Sequence, residues 1–201
     1  PSGVTTVEQR AVLEATIQAG ASKTYLIEEP LAAALGAGLN IAEPYGSMVV
    51  DIGGGTTDVA VLSLGGIVVS DSLRIGGDKF DDSLIRYVKK EYNVLIGERT
   101  AEEIKISVAT VSKTGRNEAI EIRGRDLVSG LPKTLRITSA ETREALAEVT
   151  QAIVERVKYV LEHTPPELAA DIIDRGIVMT GGGAMVNGLD KVIQEATGIT
   201  T

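Results

Sequence analysis

The sequence predicts a mixed α/β fold in which a meander of strands is joined by one parallel strand. Short apolar runs typical of strands are interleaved with segments whose apolar residues recur at helical spacing. Two glycine clusters each follow one of the apolar runs. The chain has 201 residues, 43% of them hydrophobic, which is enough for a core in one domain or two small ones.

The first 45 residues contain signals for two helices and a strand. The pair Thr5 and Glu8 has the spacing of a capping box, which predicts a helix start with Val7 among its apolar positions. Residues 23–28 read as a strand. Pro30 stands where proline is tolerated in the first turn of a helix, and it predicts a helix over 31–35.

The middle of the chain reads as three meandering strands followed by two helices. The strands are predicted over 47–52, 57–64 and 67–75. Asp78 is predicted to cap the first helix, whose apolar residues include Phe80 and Leu84. The second helix is predicted over 100–109.

The last part of the chain contains a pair of strands, a long helix and a glycine turn. Antiparallel strands are predicted over 118–124 and 133–138, and Ser139 is predicted to cap a helix that ends before Pro165. Residues 176–180 read as a short buried strand that precedes a second helix around Leu189. The segment 81–139 is more charged than its flanks and reads as an inserted subdomain.

The most informative stretch is Asp51-Ile-Gly-Gly-Gly-Thr-Thr-Asp58, between two strand-like runs. Glycines adopt backbone angles closed to other residues and leave N–H groups uncovered, so the oxygens of a polyanion can approach them. A carboxylate at the strand end could hold hydrated Mg²⁺, which prefers few carboxylates and many waters. The stretch is not a Walker loop, because no G-x-x-x-x-G-K-[ST] occurs. A glycine-rich hairpin without a ligand is the alternative.

A second glycine cluster, Gly181 to Gly183, lies between the predicted strand 176–180 and a helix. The order strand, glycine turn, helix is the one in which main-chain N–H groups meet an anion or a nucleotide. Such turns also serve only to let a strand and a helix pack closely. Two clusters at strand ends favour a phosphate ligand.

Three further clusters could carry chemistry, and each has a structural alternative. Glu28 and Glu29 precede a helix, where an acid often caps the helix but could also orient a water for attack on a phosphate. The turn 76–78 could approach a ribose or a phosphate, or only join a strand to a helix. Glu102 and Lys105 are an i,i+3 pair that could be a surface ion pair or a clamp for a nucleoside.

Composition excludes several classes of function. A net charge of −8 argues against a nucleic-acid binder, which normally carries a basic face. The absence of cysteine excludes disulfides and thiolate metal sites, which suits a reducing cytoplasm. His163 stands at a predicted helix end and reads as a cap. No apolar run approaches the ~20 residues of a membrane-spanning helix.

Five stretches of the sequence together resemble the MreB family of bacterial actin homologues, with the MreB-like paralogue Mbl as the alternative. They are Ile27-Glu-Glu-Pro-Leu-Ala-Ala-Ala34, Asp51 to Asp58, Gly97-Glu-Arg-Thr-Ala-Glu-Glu-Ile-Lys105, Thr164-Pro-Pro-Glu-Leu168 and Thr180-Gly-Gly-Gly-Ala184. The two glycine stretches are shared with the wider superfamily that includes Hsp70-type chaperones and sugar kinases. Within that superfamily, Gly97-Glu-Arg-Thr-Ala-Glu102 and Thr164-Pro-Pro-Glu-Leu168 are the stretches that point to MreB.

The resemblance implies an actin-like ATPase fold of the ribonuclease H-like class, with ATP and Mg²⁺ as cofactors. It also implies filaments beneath the inner membrane that organise cell-wall synthesis and maintain rod shape. Cytoplasmic localisation, self-association and the membrane partners RodZ, MreC and MreD are part of the same implication. ATPase activity is expected of the complete protein and not of these 201 residues alone.

The same resemblance assigns roles to individual residues. Asp51 would face the metal, and Glu29 would position the attacking water with Thr56 nearby. Glu102 and Lys105 would contact the ribose and base. The remaining nucleotide contacts would be Gly53, Gly54, Gly55, Thr56, Gly76, Gly77, Asp78, Gly181, Gly182 and Gly183.

Other family features are expected outside this sequence. The first phosphate hairpin and the membrane-inserting segment would precede residue 1, and a last strand and helix would follow residue 201. By this interpretation residues 1–45 are the tail of subdomain IA, 46–80 with 140–201 form subdomain IIA, and 81–139 form subdomain IIB.

Two other classes of function remain open at the level of sequence. One is a chaperone or sugar-kinase ATPase of the same superfamily, although an Hsp70-type protein would be expected to have Asn where Glu28 stands. The other is a non-catalytic interaction fragment.

Overall fold

The computed structural model describes residues 2–201, which form two β-sheets with helices packed against them. The strands are β1 Ser47–Ile52, β2 Thr57–Ser63, β3 Gly66–Leu73, β4 Val94–Leu95, β5 Ala119–Asp126, β6 Pro132–Thr138 and β7 Ile177–Thr180. The helices are α1 Thr6–Gln18, α2 Glu29–Gly36, α3 Gly77–Tyr92, α4 Glu98–Ser107, α5 Ser139–Glu162, α6 Pro166–Arg175 and α7 Leu189–Thr197, with a 3₁₀ turn over Gly182–Met185.

The first sheet has the strand order β3-β2-β1-β7 and confirms the predicted meander. β1 pairs antiparallel with β2 and parallel with β7, so the parallel strand lies beside the first strand of the meander. The central strands are buried on both faces, which explains why they read as continuous apolar runs. The pairing sets Asp51 opposite Thr180, at the edge where β1 and β7 both end.

Helix α5 packs on one face of this sheet. Its buried stripe includes Leu146, Ile153 and Val157, which share the main core with Phe80 of α3 and Ile193 of α7. A smaller apolar cluster on the opposite face joins α2 to β1 and β2. The sheet therefore has helices on both faces, as expected for an α/β fold.

The predicted cap of α5 is one residue off. Thr138 is the N-cap and forms the capping box with Glu141, whose carboxylate accepts the Thr138 N–H at 2.8 Å. Ser139 instead stands inside the helix, fully buried, and its hydroxyl donates to the main-chain oxygen of Val108 at 2.8 Å. By local sequence alone, the hydroxyl of either Thr138 or Ser139 could cap the helix. The Ser139 hydroxyl is instead bonded to the buried Val108 carbonyl group, so Thr138 is the cap.

The predicted cap of α3 is also wrong. Gly76 is the N-cap residue, and Asp78 lies in the first turn without a side-chain capping bond. The predicted apolar face is confirmed, since Phe80, Leu84 and Val88 are buried. Asp78 still stands where a negative charge is favourable to the helix dipole.

The predicted strand over residues 23–28 does not form. The segment is irregular and largely exposed, with Tyr25 and Ile27 facing outward. Within residues 2–201 no neighbouring strand supplies it with a ladder of hydrogen bonds, and strand formation requires such a partner. Helix α1 begins at the predicted capping box, but none of its residues is buried.

The second sheet has the order β4-β5-β6 and confirms the predicted antiparallel pair. The short strand β4 was not predicted, because two residues carry too little periodicity. Gly124 lets β5 approach it, since a Cβ there would lie 2.4 Å from the Val94 side chain.

Helix α6 was also not predicted, although Pro166 stands at its start as expected for a first-turn proline. Gly46 packs under it, where a Cβ would lie 2.5 Å from the Leu168 main-chain oxygen. The side chain of Asp171 accepts the Gly46 N–H at 2.8 Å. None of the helices in residues 2–201 is long and apolar enough to cross a bilayer.

The β5–β6 turn is closed by Asp126 and yields a pH prediction. Its carboxylate accepts the N–H groups of Ser129 and Val128, each at 2.9 Å, and pairs with Lys133 at 3.1 Å. These bonds, the one from Ser129 first, lower the pKa of Asp126 from 3.8 to about 2. A carboxyl with a lowered pKa stabilises the fold above its unfolded-state pKa and ceases to do so as pH falls through its folded-state pKa.

We therefore expect Asp126→Asn to lower the unfolding temperature near neutral pH, with the difference from the unsubstituted protein shrinking as pH falls from about 4 towards 2. Thermal unfolding followed by circular dichroism at several pH values measures this difference. Asp174→Asn, at an exposed position of α6, is the matched control and should change little. A difference independent of pH would contradict the assignment.

Candidate functional site

The hairpin that joins β1 to β2 ends in a bare main-chain tip. The Gly53 N–H donates to the Thr56 carbonyl oxygen at 2.9 Å, which leaves Gly54 and Gly55 exposed at the tip. A Cβ at Gly55 would meet no atom within 4 Å. The expectation that these glycines adopt angles closed to other residues is wrong, because none of the three has a positive φ. What they provide is the lack of side chains at the tip.

This hairpin is fastened to the start of α3. The N–H groups of Gly77 and Asp78 donate to the Gly53 and Gly54 carbonyl oxygens, both at 2.9 Å. A Cβ on Gly76 would lie 2.5 Å from the Gly54 oxygen, so Gly76 is required for the contact. The first N–H groups of α3 are thus used within the protein, and Gly76 acts as a packing residue.

The second glycine segment packs against the end of β1. Gly181 has φ of +85°, and a Cβ there would lie 2.3 Å from the Ile52 carbonyl oxygen. A Cβ on Gly183 would lie 2.4 Å from the Ile52 side chain, whereas Gly182 faces open space. Parallel pairing of β7 with β1 thus brings the two glycine segments of the sequence to one place.

A cavity of about 800 Å³ opens between the two glycine segments, α3 and α4. Eight of the predicted site residues line it: Gly53, Gly54, Gly77, Asp78, Glu102, Lys105, Gly182 and Gly183. Residues 98, 99, 106, 116 and 185 line it as well, none of which the sequence analysis selected. The lining combines bare main chain with both signs of charge, as a polar ligand with an anionic part requires.

Lys105 is held at this cavity by a partner that sequence reasoning missed. Its ammonium group lies 2.7 Å from an Asp81 carboxylate oxygen and donates to the Gly77 main-chain oxygen at 3.2 Å. The two side chains are 14% and 15% exposed, so Lys105 forms a largely buried ion pair with another helix, unlike the surface pair within α4 that was the alternative to a nucleoside clamp. Asp81 follows Asp78 by three residues, so the two lie on one face of α3. That spacing was the signal in the sequence by which Asp81 could have been selected.

The carboxylate of Asp81 lies in an environment that is unfavourable for its negative charge. Burial raises the pKa of Asp81, against the opposing effect of the Lys105 ammonium group. Its second carboxylate oxygen is buried and has no hydrogen-bond partner. A charged group in this state favours a nearby cation or hydrogen-bond donor.

A second, smaller cavity of about 550 Å³ contains Glu29, Asp51 and Gly181. The Thr180 hydroxyl donates to Asp51 at 2.9 Å and fixes its carboxylate. Burial raises the pKa of Asp51, as do the nearby negative charges of Glu29 and Asp58, while the Thr180 bond acts in the other direction. Carboxylates held together in this way gain from a bound cation.

The donors around Asp51 fit Mg²⁺ better than metals that need several protein ligands. Within residues 2–201 no group of three or more His, Cys, Asp or Glu side chains is arranged to hold a metal ion. Mg²⁺ takes one or two carboxylates and completes its shell with water and phosphate oxygens. Asp51, with its fixed carboxylate, meets that requirement.

Three predicted residues line neither cavity. Gly55 lies at the exposed hairpin tip, Gly76 is packed under it, and Thr56 closes the hairpin through its main-chain oxygen. His163 is the C-cap of α5, and a ring nitrogen lies 2.7 Å from the Tyr159 carbonyl oxygen, in line with its interpretation as a cap.

The two-sheet architecture matches solved structures of the actin-like class. The MreB5 protein of Spiroplasma citri bound to AMPPNP superimposes with a TM-score of 0.96 and 44% identity, over 100% of this chain and 60% of the other. The MamK double helical filament, at 23% identity, shares the fold with a TM-score of 0.76, over 97% of this chain and 57% of the other. The fold therefore places the chain in the actin-like class of proteins.

Sequence comparison identifies the family within this class. The model of the MreB/Mbl protein family matches residues 1–201, and the chain belongs to that family. The cell shape-determining protein Mbl of Bacillus subtilis is 58% identical over 97% of this chain and 59% of its own length. The cell shape-determining protein MreB of Escherichia coli is 53% identical over 99% of this chain and 57% of its own length. The chain thus spans about three fifths of these relatives.

The close approach of Gly181 to β1 predicts that its substitution disrupts the fold. Gly181→Ala should lower the free energy of unfolding by about 1–3 kcal/mol or more, because the new Cβ meets main chain and the φ is unfavourable. Gly182→Ala is the matched control, since a Cβ there meets nothing within 4 Å. Urea unfolding of both variants measures the difference, and equal stability would contradict the packing described.

Proposed function

We propose that this chain forms the nucleotide-binding part of a filament-forming, actin-like ATPase that determines cell shape. The observation that carries the proposal is the cavity of about 800 Å³ between two glycine segments, with Asp51 and Glu29 in the adjacent cavity. A relative of the same fold is described with bound AMPPNP and another with bound ADP. Relatives of more than 50% identity are described as cell shape-determining.

The nucleoside end of ATP is assigned to the α4 side of the cavity. Glu102 and Lys105 face it from one helix, and carboxylates suit the hydroxyl donors of a ribose. Lys105 is already oriented by Asp81 and Gly77, so less side-chain entropy is lost when a ligand binds. Gly182 and Gly183 would offer main chain to the α-phosphate, since Gly182 is open to the cavity and Gly183 packs against Ile52.

The phosphate end is assigned to the hairpin tip and the Asp51 carboxylate. Gly53 to Gly55 and Thr56 would approach the outer phosphates, and Asp51 would hold Mg²⁺ through its water shell. Bound Mg²⁺ neutralises charge on the phosphates and orients them for in-line attack. Glu29, at the N-terminus of α2 and close enough to Asp51 to raise its pKa, would orient the attacking water.

The domain division also remains a proposal. The first sheet with α5, α6 and α7 would form subdomain IIA, and the second sheet with α4 would form subdomain IIB, which the division of the strands into two separate sheets supports. The proposed boundary at residues 80 and 81 falls inside α3, which contacts both α4 and α5. Residues 1–45, with their exposed helix α1, would belong to subdomain IA.

Assembly and location follow from the family relationship. We propose self-association into filaments at the cytoplasmic face of the inner membrane, with RodZ, MreC and MreD as partners and no nucleic acid. Membrane contact would be made by family segments outside these 201 residues. A chaperone or sugar-kinase role is not favoured, because the chain belongs to the MreB/Mbl family over its whole length.

The assignment of Lys105 to the nucleoside predicts a loss of affinity. In the complete protein, Lys105→Ala should weaken ATP binding by about 1–2 kcal/mol, the range of a charged hydrogen bond. It should also lower the unfolding temperature, because Asp81 loses its partner in a largely buried pair. Lys79→Ala removes an exposed lysine of α3 paired with Asp82 and is the matched control.

Calorimetric titration with Mg-ATP, well below the unfolding temperature, measures this effect. Unchanged affinity of the Lys105 variant for Mg-ATP would mean that this residue has only a structural role.

The assignment of Glu29 predicts a defect in hydrolysis without a defect in assembly. In the complete protein, Glu29→Gln should slow phosphate release by ~10²-fold or more, as loss of a water-positioning group does. Sedimentation with ATP should still recover polymer. Glu28→Gln, at the exposed neighbouring position, is the matched control. Normal hydrolysis by the Glu29 variant would reject this role, and failure of the unsubstituted protein to pellet with ATP would reject the proposed function.

A further inference from the structure

A side-chain amide joins the segments that follow the two walls of the larger cavity, α4 and the 3₁₀ turn. The Asn187 Oδ1 atom accepts from the Thr110 hydroxyl at 2.9 Å and from the Arg116 main-chain N–H at 3.0 Å. Its main-chain oxygen accepts from the Val111 N–H at 3.0 Å. Because an N–H can only donate, the oxygen of the amide must face this loop. We call Asn187, Thr110 and the 111–116 loop the clasp.

The clasp is a tightly packed polar unit. Thr110 is fully buried, and its main-chain N–H donates to the Thr142 hydroxyl at 3.2 Å. A Cβ on Gly115 would lie 2.0 Å from the Thr110 hydroxyl oxygen and 2.6 Å from Asn187 Oδ1. The loop can therefore lie against Asn187 only with glycine at this position.

The clasp connects the segments that continue from the two cavity walls. One wall is α4, which carries Glu102 and Lys105 and ends at Ser107, three residues before Thr110. The opposite wall is the 3₁₀ turn over Gly182–Met185, two residues before Asn187. Arg116 lines the cavity itself, and its guanidinium group donates to the Ile106 and Ser107 carbonyl oxygens at 2.7 and 3.0 Å.

We infer that Asn187 is a positioning residue for nucleotide binding, which sets the separation of the two walls that receive the nucleoside. It acts through Thr110 and Arg116 and does not enter the chemistry at the phosphates, which lies at the other end of the site. The inference rests on the proposed function. It requires that loss of the clasp weakens nucleotide binding while hydrolysis of bound nucleotide continues at its normal rate.

Three variants of the complete protein test this role. Asn187→Ala removes the side-chain acceptor shared by the Thr110 hydroxyl and the Arg116 N–H, and it leaves the hydroxyl only the main-chain oxygens of Asn187 and Ser112, at 3.2 and 3.4 Å. We expect the KM for Mg-ATP to rise about tenfold with kcat unchanged. Asn187→Asp keeps an oxygen acceptor and should restore most of the affinity. Thr110→Val should reproduce the effect of Asn187→Ala.

The control for destabilisation alone is Thr164→Val. It also removes a buried threonine hydroxyl, one that donates to the Val160 carbonyl oxygen at the far end of α5. It should lower the unfolding temperature without changing KM. Hydrogen exchange should accelerate over residues 108–118 and 182–188 in the clasp variants only.

The outcomes separate the two proposals. A KM unchanged in Asn187→Ala and Thr110→Val, beside normal activity of the unsubstituted protein, would overturn the positioning role alone. A fall in kcat with KM unchanged would overturn it as well. Absence of nucleotide binding by the unsubstituted protein would overturn the proposed function and the positioning role together.

Discussion

The close contact of main chain with main chain around the end of β1 is the constraint on which the rest of the site depends. Gly76 and Gly181 each bring their backbone to a carbonyl oxygen of residues 52–54 at a distance that excludes a Cβ. Because β1 is buried on both faces and paired on both edges, its end cannot shift to relieve a clash. The hairpin tip, the start of α3 and the turn after β7 are therefore fixed relative to one another before any ligand binds.

Buried hydroxyl groups fix the position of the elements on the other side of the cavity. Ser139, Thr142 and Thr110 are all buried, and their hydrogen bonds join α5 to residues 108–110, which follow α4. A buried hydroxyl without a partner is unfavourable, so these bonds favour one arrangement of the two parts over any alternative. The Asn187 clasp extends this network to the lining of the cavity. The site is thus held by backbone contact at one end and by polar side chains at the other.

The electrostatics of the two cavities divide the site into functional halves. Near Asp51, burial and the negative charges of Glu29 and Asp58 raise the pKa of the Asp51 carboxyl, and such an environment favours a cation. Near Lys105, the cavity is lined by both acidic and basic side chains, and the ion pair with Asp81 orients the lysine. A nucleotide with its metal needs both halves, because its phosphates carry negative charge and its nucleoside is neutral and rich in hydrogen-bonding groups.

The sequence alone determined the strands of the meander, the parallel strand, the apolar faces of α3 and α5, and the two glycine segments, because these depend on periodicity and on residues with singular backbone properties. Eleven of the fourteen site residues that it selected line the two cavities. The tertiary structure decided the rest. Residues 23–28 lack a pairing partner in residues 2–201 and form no strand. Ser139 does not cap α5 as predicted, because its hydroxyl is hydrogen-bonded to the buried carbonyl group of Val108. Lys105 forms an ion pair with Asp81 on another helix, and Asn187 accepts a hydrogen bond from Thr110, which is 77 residues away in the sequence. Such pairings depend on which elements pack together, and no local pattern encodes them.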